Sequence, residues 1–562
     1  MEPVVFLPRR RYPDHMGDPT RHDLCLVGGL VADVREGTSS RAAIAVTGDR
    51  ITGFGREADL SGRAARVIDV TGKTIVPGYI EPHTHALLAN PAQLAYAIGA
   101  HGTTTAAVDA LPLMMTAPPT HLADVLAALS RLPVSLRWLI RLHPQSFADE
   151  ERFALRDLQD LWRQPFTAAV GEVTRWPDVL AGDPALLEKI AAARSDGRRV
   201  EGHAPGASYE RLAALAAAGF TSCHEAITAA DVANRLRAGL YVMLRYSSIR
   251  PDLPELLTGL SPEAIASGRV MLTVDGPSPA FLEAHGYQDG LLAIAMQSGL
   301  SPLQALRMVT VNPADYFGFA DRGEIAVGRR ADLNVLHALE DPRPTIVIAG
   351  GEVIADGGWH ATAPDLPWAA LVPPAQLPVL PDDVFRAPAE DAPVLTFTND
   401  VILEQAPPSD AGVAALLVDR GGQWVTRCRL VGFADGVGGL ATTISSAFDP
   451  LILGRDPADM ARAYHRLRSQ GGGIAVVEDG VERFTLPLDV GGIFSSRPWG
   501  EVAAANREFI AIMRSRGYRF ADPLFSLLFL TFDSLPWVRL TSRGIWDVRR
   551  RKVISPSTSL AS

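Results

Sequence analysis

The sequence predicts an α/β protein: a (β/α)8 TIM-like barrel joined to a composite β-sandwich and a C-terminal α+β domain. Two observations carry this. Eight short apolar segments, GYIEPHTH, TTAAVDA, SLRWLIRLH, FTAAVGEV, RRVEGHA, FTSCHEA, LYVMLRYSS and RVMLTVD, alternate with alanine- and leucine-rich stretches such as HLADVLAALSRL and SYERLAALAAAGF. That is the rhythm of consecutive β/α units. Before and after this block the text becomes short strands of alternating apolar and polar residues, broken by glycine, as in antiparallel sheets. A doubly wound sheet is the architectural alternative, but no glycine-rich phosphate turn follows the first strand.

In chain order, residues 1–22 are polar and interrupted by proline, an N-terminal arm. The segments LCLVGGLVAD, AAIAVTGDRITGFG and ARVIDVTGKTIVPG make 23–76 the first part of the sandwich, too small to bury much alone. The barrel occupies 77–320, and its interior is expected to fill with branched apolar side chains. GEIAVGRRADLNVLHA and PTIVIAGGEVIADGG place the second part of the sandwich at 321–360. Proline and alanine dominate 361–394, which reads as an extended linker or wrap. From 395 to 562, strands (VAALLVDR, GIAVVEDG, RFTLPLDV) mix with helices (PADMARAYHRLRSQ, EVAAANREFIAIMRSRG), with no catalytic cluster of their own.

A formal charge of −10 over 562 residues, with no long basic run, argues against a nucleic-acid or anionic-membrane partner. The densest basic cluster, Arg549, Arg550, Arg551 and Lys552, reads as a solvated tail. Cysteine occurs only at Cys25, Cys223 and Cys428, an odd number without framework spacing, which fits a reducing compartment. The opening segment lacks the apolar core of a signal peptide, and no run reaches spanning length. The expected setting is cytoplasmic. The expected partners are a small-molecule substrate and, through the wrap and the C-terminal domain, further copies of the chain in a homo-oligomer.

The chemistry gathers around IVPGYIEPHTH, Ile75 to His85. Alternate side chains of a strand share a face, so His83 and His85 point together, and two such imidazoles can share one divalent metal. An isolated H-x-H reads as a surface pair; the later strand ends change that. Barrel sites form at the C-terminal ends of strands. Strand four ends at Glu172, strand five at His203, strand six at His224 and strand eight at Asp275. Six potential ligands at one level match a two-metal cluster with ions roughly 3.5–4 Å apart. Lys73, Lys189 and Lys552, the only lysines, lie away from strand ends, so no carbamylated lysine can bridge. Glu172 is the expected bridge, together with a water acidified by the cations. Asp275 would bind metal and carry a proton from the attacking hydroxide to the leaving group.

Structural readings stand beside these: Glu172 as a capping carboxylate, His203 and His224 as satisfied core histidines, Asp275 before Gly276 and Pro277 as a turn former. Arg245 and Ser248, at the end of strand seven, are candidate substrate contacts, with Arg245 alternatively paired to a carboxylate. Asp109, at the end of strand two, lines the mouth or caps a helix, and strand three ends at His143. Glu225 follows His224 and should face the opposite way in a structural role. His101 is expected to pack in a loop.

The segments PGYIEPHTH, HGTTTAAVDA, VGEVTRWPDV, EGHAPGAS, CHEAITAADV, TVNPADYFGFADRGEIAVGRRADLNVL, RLRSQGGGIAVVEDG, LPLDVGG and LTSRGIWDV resemble, colinearly from Asp23 onward, the adenine deaminase family of the amidohydrolase superfamily. The resemblance implies a binuclear manganese or iron centre, with zinc as the further candidate, and hydrolysis of adenine to hypoxanthine and ammonia. It carries the family's strand-one pair to His83 and His85, its bridging glutamate to Glu172, its next imidazoles to His203 and His224, and its last aspartate to Asp275. The departures lie where substrate is read. The family's aspartate-proline-histidine-glutamate is here Asp109, Ala110, Leu111, Pro112. Its glycine-histidine-isoleucine-aspartate is Gly286, Tyr287, Gln288, Asp289, which makes Tyr287 a further candidate substrate residue. Its histidine-rich C-terminal motif is Ser445, Ser446, Ala447, Phe448, Asp449. Losing polar groups that read a purine alters discrimination, as in a divergent branch of the family.

The expected function is metal-dependent hydrolytic deamination of adenine or a related aminated heterocycle. One alternative is hydrolysis of a cyclic amide or another C–N bond, motivated by the changes around Asp109 and Tyr287. Another is a catalytically silent, metal-stabilised oligomeric scaffold, against which six potential ligands weigh.

Overall fold

The computed structural model describes residues 21–147, 150–389 and 391–560. The arm expected over 1–22 lies, but for its last two residues, outside the described residues. At the centre is one sheet of eight parallel strands: β1 (Tyr79–Thr84), β2 (Thr103–Asp109), β3 (Ser135–Ile140), β4 (Thr167–Val173), β5 (Val200–Gly202), β6 (Ser222–Cys223), β7 (Tyr241–Arg245) and β8 (Val270–Thr273), paired in chain order. The His85 N–H donates to the Asp275 carbonyl (3.1 Å), and Thr84 bridges Asp275 in parallel. These contacts bring β8 back to β1 and close the barrel, which excludes the doubly wound sheet.

Strand parity decides what the barrel encloses. Leu136, Trp138 and Ile140 of β3, Val170 of β4, Val242 and Leu244 of β7, and Val270 and Leu272 of β8 belong to the large core shared with the surrounding helices. The Trp138 indole, for example, donates to the Leu126 carbonyl of helix Pro119–Leu129 (2.9 Å). The opposite parity faces inward. At the bottom, Ala107, Leu139, Ala169, Met243 and Met271 meet Tyr316, Phe317 and Phe319. Above them the inward side chains are charged or polar: Glu81, Asp109, Arg141, Glu201, Arg245 and Thr273, all buried. The expectation of a branched apolar interior is therefore corrected. Branched residues pack outward against helices, and the upper interior is ionic because it supports the site above it.

Two sheets flank the barrel. In one, His22–Val27 lies between Ala43–Thr47 and Ala64–Asp69, with Arg50–Gly55 at the edge. In the other, Thr74–Pro77 pairs in parallel with Leu30–Asp33 and antiparallel with Leu333–Leu336, joining early and late sequence. Leu24, Ile44, Ile75, Leu333 and Ile346 share the core between them. The described residues of 361–394 pack onto the rest of the chain. Trp368, Leu371 and Val372 bury in the barrel core, and Leu377, Leu380, Val384 and Phe385 lie with Met460, Tyr464 and Leu467 of helix Pro457–Ser469. The C-terminal region holds a nine-stranded sheet, a three-stranded sheet and helices. It reaches back to the barrel mouth, where Phe494–Ser495 pairs in parallel with Leu88–Ala89 and Asn90 Nδ2 donates to the Ser495 carbonyl (2.8 Å). Among the described residues no helix is long and apolar enough to cross a membrane.

Candidate metal centre

The six expected residues converge at the mouth. His83 Nε2 and His85 Nε2 face each other at 3.2 Å, and His203 Nδ1 and His224 Nε2 at 3.1 Å. Asp275 Oδ1 lies 3.2 Å from His85 Nε2 and 3.6 Å from His83 Nε2. Glu172 turns Oε1 towards His203 and His224, the latter at 3.1 Å, and Oε2 towards His85 at 3.9 Å. Four overlapping groups have donor atoms within 4.8 Å of one another: His83, Glu172, His224; His83, His85, Asp275; His203, His224, Glu225; and His85, Asp109, Glu172.

This donor set fits a divalent cation. Two ring nitrogens facing each other at hydrogen-bond distance cannot both carry a proton, so each pair leaves a lone pair directed into the cluster. Burial and the nearby His83 push the His224 imidazole down to about 4, leaving it neutral. Burial opposes protonation of His85, but Asp109 and Asp275 outweigh it and lift the ring to about 9; a cation would release that proton. Five carboxylates, Asp109, Glu172, Glu201, Glu225 and Asp275, contact the cluster or its guanidinium partners Arg141, Arg245 and Arg250. Once His83 and His85 give up their protons, the carboxylate charge left there is what a cation would balance.

The supporting residues were mostly absent from the sequence reading. Arg141, fully buried, donates from Nε and Nη2 to Asp109 (3.0 and 2.7 Å), from Nη2 to Glu172 Oε2 (2.5 Å) and from Nη1 to the Glu172 carbonyl (2.7 Å). Burial resists ionisation of Glu172, yet Arg141 and His203 hold its carboxyl well below the usual range. Glu201 Oε2 lies 3.0 Å from His83 Nδ1 and fixes that ring, the role an outer carboxylate plays towards a ligating histidine. Strand parity was the available signal: Glu201 precedes His203 by two and Arg141 precedes His143 by two, so each faces inward.

Around these groups is a cavity of about 680 Å³ lined by barrel loops and the C-terminal region. The model described as the amidohydrolase family matches residues 74–354, and the model of the adenine deaminase C-terminal domain matches 394–552. A curated relative from Halalkalibacterium halodurans, named provisionally as an adenine deaminase, is 36% identical over 87% of this chain and 87% of its own.

The chain belongs to the adenine deaminase family of amidohydrolases.

It is accordingly a hydrolase of non-peptide C–N bonds. The adenine deaminase of Nitratidesulfovibrio vulgaris is 31% identical over 94% of this chain and 95% of its own. Among solved structures, a zinc-bound adenosine deaminase from Xanthomonas campestris covers 63% of this chain and 97% of its own, at 20% identity and a TM-score of 0.46.

Other expected site residues of this amidohydrolase fall differently. Asp109 lines the cavity 3.1 Å from His85 Nδ1, and its Oδ1 accepts the Leu111 N–H (3.0 Å). Arg245 lines the cavity but is held by Glu225 and Asp275, each 2.6 Å from Nη1. Ser248 is corrected: β7 ends at Arg245, and the tight turn pairing Ser247 with Arg250 leaves Ser247, Ile249 and Arg250 on the lining in its place. Tyr287 is also corrected. It is wholly buried, outside the lining, because it leads into helix Gln288–Gln297, which packs on the barrel wall with Gln288 Nε2 bonded to Glu81 (2.7 Å). Glu225 overturns its structural assignment. β6 ends at Cys223, so alternation lapses, and Glu225 Oε1 comes 3.4 Å from His203 Nδ1. His143 lies beyond the end of β3 with Nδ1 donating to the Pro144 carbonyl (2.8 Å). His101 pairs with Asp289 (2.9 Å).

Proposed function

We propose that the chain is a metal-dependent hydrolytic deaminase, converting adenine, or a related aminated heterocycle, and water to the oxo product and ammonia. The observation that carries this is the set of four overlapping donor groups opening into one large cavity. His83, His85, Glu172, His203, His224 and Asp275 would hold two divalent cations, manganese or iron by family resemblance, with zinc compatible with the same donors. A cation bound there acidifies water and offsets charge developing on the substrate.

The chain's own groups do the rest. Asp275 directs Oδ1 towards His83 and His85 and rests Oδ2 on Arg245. Burial opposes its ionisation, but Arg245, His83 and His85 outweigh burial and keep it a carboxylate. It takes the proton of the water that adds to the amine-bearing carbon and delivers it to the departing nitrogen, so that ammonia leaves. Arg141 and Glu201 fix Glu172 and His83, keeping the donors aimed before substrate arrives. The three buried free cysteines support a reducing, cytoplasmic setting.

A second reading, hydrolysis of a cyclic amide or another C–N bond, is favoured by the C-terminal departures. The Ser445 hydroxyl donates to the Asp449 carbonyl and the Ser446 hydroxyl to the Leu528 carbonyl (2.8 Å each), so neither proton is free to bond a purine ring nitrogen. Metal analysis together with ammonia release from adenine, other aminopurines and cyclic amides tests both. Deamination predicts ammonia from an aminopurine by the manganese-loaded protein. Ring opening of a cyclic amide without ammonia would replace it, and less than one metal per chain with no turnover would leave the scaffold.

A further inference from the structure

We infer that the substrate carries an apolar, ring-sized arm on its aminated heterocycle, held by an aromatic track from the C-terminal region; this rests on the deaminase reading above. The cavity of about 680 Å³ falls within the roughly 300–1,000 Å³ that encloses drug-sized ligands, and a bare purine base fills only a minor part of it. The lining says what fills the remainder. Helix Pro523–Phe529 and the turn after it present Phe525, Leu528, Phe529 and Phe532 to the cavity, and Trp537 lines it separately. The ring of Phe532 is 6.3 Å from that of His203, Phe529 is 6.0 Å from Phe532, and Phe525 is 5.8 Å from Phe529. The row of rings therefore leads from His203, beside the donor cluster, along the wall to Phe525. Rings at these spacings accept a further ring edge-on or offset.

Acceptor atoms of the polar side chains along the same wall are largely committed. Asp400 accepts from the Tyr518 hydroxyl (2.8 Å) and from the N–H groups of Ala521 and Asp522. Asn399 Oδ1 accepts from Val401 and Ile402 N–H (2.8 Å each), and the Ser534 hydroxyl donates to Asp533 (2.8 Å). With the Ser445 and Ser446 protons turned to backbone carbonyls, this wall offers a sugar or phosphate arm few donors to replace its hydration. An aryl or comparable hydrocarbon arm loses nothing of that kind and gains the buried area.

The test uses the full, manganese-loaded chain with adenine, adenosine, 8-phenyladenine and 9-benzyladenine, all of which keep the amine whose release is read as ammonia. At least one aryl compound should exceed adenine in kcat/KM by about tenfold or more. That ratio should fall about tenfold in Phe529→Ala and less in Phe529→Leu, with both variants checked for native melting. Adenine or adenosine matching or exceeding both aryl compounds would overturn the arm. Should none of the four release ammonia, the deamination reading falls. Calorimetric titration of the same compounds then decides the arm separately: tighter binding of an aryl compound supports it, and equal or weaker binding refutes it.

Discussion

Asp275 and Glu81 are two carboxyl groups set apart by their surroundings. Asp275 has an arginine at 2.6 Å and stays ionised; Glu81 has none, and burial lifts it to about 8 despite bonds from Thr273, His83 and Val274. The geometry agrees. Thr273 Oγ1 lies 2.6 Å from both Glu81 Oε1 and the His83 carbonyl. Its one proton is shared between these two acceptors, so it offsets only part of the burial of Glu81. Asp275→Asn keeps an oxygen donor but cannot take a proton. It should retain metal content while kcat falls about 10²–10⁴-fold; stopped assays paired with metal analysis would reveal parental turnover if the role is wrong. For Glu81 the folded pKa is raised above the unfolded one. Its contribution to stability is therefore full below about pH 4.5 and is lost as pH rises towards about 8, with a slope of up to ~1.4 kcal/mol per pH unit. Glu81→Gln should remove that slope, read as the difference in melting temperature from the parent across pH 5–8 in metal-free protein.

At the scale of elements, β4 and β5 must approach closely where Glu172 and Glu201 turn inward. Gly171 makes this possible: its φ is +114°, and a Cβ there would fall 2.5 Å from the Glu201 carbonyl oxygen. Gly171→Ala should cost about 1–3 kcal/mol in backbone strain and weaken metal uptake by displacing Glu172. Calorimetry would show a melting temperature lower by a few degrees, and metal titration a higher Kd; a variant unchanged in both would refute the close-approach account. Element ends also explain which site residues were legible. Glu81 and His83 on β1 obey counting by two, whereas β4 shifts register between Val170 and Val173, so Glu172 turns inward although Val170 two residues earlier faces the helices. Glu225 and Ser248 follow β6 and β7, where the hydrogen-bond ladder has stopped and side-chain direction is set by loop turns.

Over the whole molecule, the C-terminal region has cores of its own but also packs into the core of the barrel. Trp368, Leu371 and Val372 of the wrap and Phe448, Val490, Ile493 and Phe494 of the C-terminal region belong to the same cluster as the barrel strands and helices. Arg175 adds an ion pair to Asp533 across the join (3.0 Å). Metal-free protein should accordingly unfold in a single calorimetric transition; two resolved transitions would show the regions to be independent. Periodicity along the chain determined the eight β/α units and placed His83, His85, Glu172, His203, His224 and Asp275 at strand ends, because both follow from local repeat and from the side on which a barrel keeps its chemistry. The tertiary structure alone decided that Arg141 clamps Asp109 and Glu172, that Glu225 turns into the cluster, that Tyr287 is sealed in the wall, and that a distant aromatic helix roofs the cavity. Those are contacts between segments up to several hundred residues apart, and strand alternation carries no information about which surfaces meet.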